Sequence, residues 1–159
     1  MLVSEFIFGL NSLQMRPISK ITKRLYVTNA PSVAKVSLLI KRRIKYVLTV
    51  MDEPLPAEVR KQLVDNNISF ECVRFIENDI PSKQLQQSLE SIASKINDHE
   101  QTHPMIIHCV KGQNRSPAAI LYWLIAYKNM TFQNALEYLQ SRRHILIDPC
   151  WLRKIKKMF

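Results

Sequence analysis

Glycine is nearly absent from this chain: two residues in 159. That excludes Gly-rich low-complexity linkers, and no internal repeat is visible, so the sequence reads as one domain preceded by a short extension. Cysteine is scarce too, with three residues and no metal-ligand spacing among them. An odd count of this kind argues against a disulfide framework and for free thiols in a reducing compartment, cytoplasmic or nuclear. Apolar runs are short. None approaches the roughly 20 residues a membrane-spanning helix needs, and the N-terminal region carries Glu5 and no early Lys or Arg, so neither a membrane span nor a signal peptide is expected. Acidic residues are the last deficit, 13 Asp and Glu against 23 Lys and Arg, for a net charge of +10. This points to anionic partners, an acidic phosphoprotein, nucleic acid or anionic lipid, or else to a solvated basic surface. No pattern selects an oligomeric state.

One of the two glycines falls in the stretch His108-Cys109-Val110-Lys111-Gly112-Gln113-Asn114-Arg115-Ser116, which packs a nucleophile, an anion cradle and a fixed cation into nine residues. Met105 to His108 is apolar and partly β-branched, as in a buried strand, and Ser116 to Ile125 is long enough for a buried helix. Ser116 suits the N-cap and Pro117 the first helical position, so free N–H groups and the positive dipole end face the loop. A thiol at a helix N-terminus beside a cation is readily held as the attacking thiolate, and Cys109 is the candidate nucleophile. Backbone N–H groups of residues 110–115 curled around a point would hold the equatorial oxygens of a phosphate. Gly112 can take the positive φ such a curl demands. Arg115, six residues after the cysteine, would bring a bidentate guanidinium to the same anion. Ser116 can offer its hydroxyl to the sulfur when a phosphocysteine is hydrolysed.

The pattern HCxxGxxRS resembles the signature of the cysteine-dependent protein tyrosine phosphatase superfamily, and the RSP continuation resembles its small dual-specificity phosphatases. The resemblance runs over residues 18–159, with residues 1–17 as an extension. It implies an α/β fold with a central, mostly parallel sheet flanked by helices. It also implies metal-free hydrolysis of phosphotyrosine and phosphoserine or phosphothreonine on proteins, with no cofactor. A general acid should come from the segment Arg74 to Pro81, between a strand and a helix. In the family it is an Asp some thirty residues before the cysteine, which matches Asp79; Glu77 is the alternative, and Asp79 could instead cap the next helix. Relatives carry a basic residue matching Arg143 near the pocket, where it could take a second phosphate or be a solvated helix end. They also carry an Asn, bonded to the phosphate loop, where this chain has Asp148, whose charge would oppose phosphate if it approached. The pair Asn114-Arg115 and the basic charge also resemble RNA 5′-phosphatases, although Ser116-Pro117 departs from their pattern. Asp148 keeps a phosphate-binding pseudophosphatase open, and the phosphoinositide phosphatases match the loop cations less well.

In chain order, Leu2, Phe6, Leu10 and Leu13 form an amphipathic pattern over Met1 to Met15. Ile18 to Thr28 reads as the first strand and Asn29 as a left-handed turn. Ser32 caps a helix to Lys41 with Val33, Val36, Leu39 and Ile40 inward. Strand Tyr46 to Val50, helix Ala57 to Val64, strand Ile68 to Phe75 and helix Ser82 to Asn97 precede the loop. Thr131 caps a helix from Phe132 to Arg142, and the last helix starts near Cys150. Strands alternating with helices indicate an α/β layered fold. His108 should brace the loop, His99, His103 and His144 should lie at the surface, and Cys72 and Cys150 should fill the core.

Overall fold

In the computed structural model, which describes residues 17–159, two strands are buried at every position: β3 (Tyr46–Met51) and β5 (Met105–His108). A strand covered on both faces can be apolar throughout, which is why these two read as continuous runs. Around them lie β1 (Ile18–Lys20), β2 (Leu25–Thr28) and β4 (Ser69–Arg74), in the order β1-β2-β5-β3-β4. Only the β1–β2 pair is antiparallel. The register sets both Thr28 of β2 and Thr49 of β3 opposite His108. β2 and β5 therefore end at one level beneath Cys109, with β3 running two residues further, at the carboxyl edge of the sheet, where parallel α/β folds carry their sites.

Alternation divides the core. Tyr46, Leu48, Val50, Met105 and Ile107 face one cluster, and Val47 and Ile106 face the other. The first is covered by helices α4 (Ser82–Glu100), α5 (Arg115–Lys128), α6 (Phe132–Arg142) and α7 (Pro149–Lys157), the second by α1 (Ala30–Ala34), α2 (Val36–Lys41) and α3 (Ala57–Asp65). In α5 every residue from Arg115 to Ile125 is buried. Each large side chain there contributes about 1.5 to 3 kcal/mol, so burial outweighs the roughly 1 kcal/mol of a side-chain cap that this helix lacks.

Several local expectations are corrected. The first strand is a hairpin, closed where Ile21 N–H bonds the Leu25 carbonyl at 2.8 Å. Asn29 is not left-handed. Its backbone is extended and its side chain caps α1 by accepting from Ser32 N–H, while the expected single helix divides at Lys35. Ile40 is 48% exposed rather than inward. Helix α5 begins two residues early, with Asn114 rather than Ser116 at the cap, and α7 begins at Pro149 with Asp148 as its cap. Cys72 is exposed because β4 is a sheet edge, and Cys150 is half-buried. His99 stacks on Tyr46 with ring centroids 3.5 Å apart, so it packs as well as faces water. The amphipathic pattern over Met1 to Met15 lies outside the described residues.

Candidate active site

The loop between β5 and α5 is tied down on its outer side at three residues. Val110 O accepts from Ala30 N–H at 2.9 Å, Gln113 O from Leu146 N–H at 2.8 Å, and Gly112 O from the Arg143 Nε–H at 2.7 Å. In a trans peptide the carbonyl and the following N–H point opposite ways, and no cis bond occurs among the described residues. The N–H groups of Lys111, Gln113 and Asn114 therefore turn toward the centre of the loop. Gly112 has φ +68°, and a Cβ there would sit 2.4 Å from the Thr28 carbonyl oxygen. A side chain is excluded on both counts.

His108 is fully buried below the loop. Its Nδ1 lies 3.1 Å from the Cys109 carbonyl oxygen, which can only accept, so Nδ1 carries the proton and Nε2 accepts from the Thr49 hydroxyl at 2.8 Å. Burial pulls its pKa down to about 4, against an opposing pull from the Cys109 carbonyl. It is a neutral brace. As the pH falls, the unfolded chain takes this proton first, near the ordinary 6.5. The stabilisation is thus complete above that pH and is lost progressively toward about 4, with about 2 kcal/mol gone by pH 5. Denaturant midpoints at pH 7.5 and 5 should therefore diverge more for the wild type than for His108→Gln. An equal pH dependence would show that burial leaves His108 at its ordinary pKa.

Arg143 lies under the same loop, 4% exposed, with Nη1 donating to Ser19 Oγ at 2.9 Å as well as Nε to Gly112. Burial lowers its pKa, and the charge of Cys109 opposes that shift. It is neither a solvated helix end nor directed at a second phosphate. It braces the cradle from behind.

Cys109, 2% exposed, forms the floor of a cleft of about 300 Å³ lined also by Glu77, Val110, Lys111, Gln113, Asn114, Arg115 and Leu146. Arg115 is 5% exposed. Its Nη1 donates to the Phe75 carbonyl and to Asp52 Oδ1, both at 3.1 Å, and its Nη2 stands 3.8 Å from Glu77 Oε2. Its Nε is buried without a partner, and so is the Ser116 hydroxyl. Each such orphan costs about 1 to 3 kcal/mol. A loop that keeps two of them, with N–H groups facing the same centre, is prepared for an anion.

The segment carrying the acid candidates is packed on α7, where Phe75 and Trp151 rings lie 5.1 Å apart and Trp151 Nε1 donates to the Asn78 carbonyl. Asp79 is not in the cleft: its side chain is 89% exposed and pairs with Lys154 at 3.1 Å. Glu77 is in the cleft, held also by a hydrogen bond from the Asn114 amide. Asp148 spends its carboxylate on the N–H groups of Cys150 and Trp151, so its charge is turned into α7 rather than toward the loop. Sequence reading missed Asp52 and Leu146. The signal for Asp52 was its place just beyond the end of β3, at the carboxyl edge of the sheet.

Among the described residues no group of three or more His, Cys, Asp or Glu could hold a metal ion, and no helix is long and apolar enough to cross a membrane. Residues 25–156 match the family model described as dual specificity phosphatase, catalytic domain. The chain is similar to dual specificity protein phosphatase 18 of Mus musculus, 27% identical over 136 residues, covering 83% of this chain but 66% of that one, slightly less than two thirds of the relative's length. Among solved structures, that of DUSP15 superposes with a TM-score of 0.74 at 14% identity, covering 89% of this chain and 86% of that chain. That of PTPMT1 in complex with PI(5)P gives 0.70 at 18%, covering 89% and 94%. At such identities these two likenesses show the fold alone.

Proposed function

The chain belongs to the dual-specificity phosphatase family, and on that premise we propose that it hydrolyses phosphate monoesters on phosphotyrosine and on phosphoserine or phosphothreonine of proteins through a phosphocysteine. The observation that carries this is a buried Cys109 under a loop whose N–H groups turn inward and whose Arg115 Nε, among the described residues, is buried without a partner. The incoming phosphate takes the Nε and Nη2 edge of Arg115 and displaces the long Glu77 contact, while Asp52 and the Phe75 carbonyl keep Nη1 in place. The Cys109 sulfur then forms a bond to phosphorus as the bond to the leaving oxygen breaks, and the three equatorial oxygens rest on the loop. A carboxylic acid protonates the leaving oxygen. Water next attacks the phosphocysteine, the same carboxylate takes its proton, and the Ser116 hydroxyl donates to the departing sulfur. The three cysteines of the chain are all unpaired, which suits a reducing compartment such as the cytoplasm or nucleus.

We assign the acid to Glu77 in preference to Asp79, because Glu77 lines the cleft and Asp79 is engaged by Lys154 outside it. A general acid contributes about 10² to 10⁴-fold, more for poorer leaving groups. Glu77→Gln should therefore slow a phosphothreonine peptide by that order and an activated aryl phosphate far less, with Asp79→Asn near wild type on both. The reverse ranking returns the role to Asp79. The activity itself is tested by metal-free turnover of phosphotyrosine and phosphothreonine peptides, a phosphoinositide and 5′-triphosphorylated RNA. Preferential release from the RNA would replace the protein phosphatase reading with an RNA 5′-phosphatase.

A further inference from the structure

Asn114 stands at the N-cap of α5, where asparagine ordinarily accepts from the N–H groups of the first turn, yet its side chain makes no capping bond. The third helical position, a usual target of such a cap, is Pro117, which has no N–H to offer. The side chain is used elsewhere. Its Oδ1 accepts from the backbone N–H of Asp148 at 2.9 Å, and its Nδ2 donates to Glu77 Oε1. The first bond settles the second: a backbone N–H can only meet the amide oxygen, so the NH₂ group must face the carboxylate. One amide thus joins the phosphate loop, the loop after β4 and the segment before α7.

We infer that Asn114 is a positioning residue that sets the Glu77 carboxyl at the mouth of the cleft, with the Asp148 backbone fixing its orientation. The inference rests on Glu77 being the general acid. Asn114 acts through that residue rather than on the substrate. When phosphate takes Arg115, the contact from Nη2 to Glu77, already 3.8 Å long, is given up, and the amide is then the bond that keeps the carboxyl from swinging into solvent.

The test is a double-mutant cycle of Asn114→Ala and Glu77→Gln, read on a phosphothreonine peptide and on an activated aryl phosphate. Asn114→Ala should lose about tenfold in kcat on the peptide, part of the acid's 10² or more, with a much smaller loss on the aryl ester and little change in KM. In the Glu77→Gln background it should add almost nothing. Asn114→Asp, which keeps the acceptor for Asp148 but sets a charge against Glu77, should show the same dependence on the leaving group. It guards against a folding defect in the alanine variant, and thermal midpoints are measured beside the rates. Equal losses on both substrates, or additive losses with Glu77→Gln, would overturn the inference while leaving Glu77 as the acid. A Glu77→Gln variant that itself shows no dependence on the leaving group would remove the acid assignment, and this inference with it.

Discussion

Cys109→Ser should abolish turnover of a phosphotyrosyl peptide, with a loss on the order of 10⁵ to 10⁶-fold, the scale on which removal of a covalent nucleophile falls. It should nevertheless still bind inorganic phosphate or tungstate. The reason is a division of labour visible in the geometry. The sulfur forms the floor of the cleft, but the anion is held by N–H groups fixed through the outward carbonyls of Val110, Gly112 and Gln113 and by Arg115. None of those contacts involves the thiol. A hydroxyl in its place remains protonated at neutral pH and is a poor nucleophile. Initial rates together with calorimetric titration of the anion test both halves. Substantial residual hydrolysis would rule out the phosphocysteine route, and loss of anion binding would show that the sulfur organises the cradle.

Arg115→Lys should cost about 10³-fold although the charge is kept, comparable to removal of a preorganised donor from a transition-state cradle. Arg115 uses one end of its guanidinium for structure, at Asp52 and the Phe75 carbonyl, and leaves Nε unpartnered for the ligand. A single ammonium cannot serve both ends at once. If the ammonium turned toward Asp52 the cradle would lose its cation, and if it turned toward the phosphate the loop after β4 would lose its anchor. The loss should therefore fall on kcat/KM for aryl and alkyl esters alike, unlike that of Glu77→Gln. Near-normal rates would show that the bidentate edge does not contact the transferring group.

The parts of this site that were legible in the sequence are those whose chemistry is contiguous. Cys109, Gly112 and Arg115 lie within seven residues, and a strand before them with a helix after them is enough to bend such a segment around an anion. Spacing alone could not choose between Glu77 and Asp79, because the choice depends on the twist of a short loop and on Lys154, which meets Asp79 from 75 positions away. Arg143 was ambiguous for the same reason: its burial depends on Ser19, 124 positions earlier. Periodicity located β3, β5 and α5 because each is apolar enough to be covered on all sides. It could not show that Cys72 is exposed, since that follows from β4 being an edge and so from the order of strands in the sheet.

The guanidinium of Arg143 has the place of a keystone. It joins Ser19 at the start of the described chain, Gly112 in the phosphate loop and the end of α6. Holding nine residues in one conformation costs roughly 10 kcal/mol or more of backbone entropy, far beyond what the loop's own few hydrogen bonds return. The segment from His108 to Ser116, cut out as a peptide, would carry the nucleophile, the loop N–H groups and Arg115 and have none of the site's affinity. The anion cradle here belongs to the topology, and it forms only when Ser19 and Arg143 have closed on the loop between them.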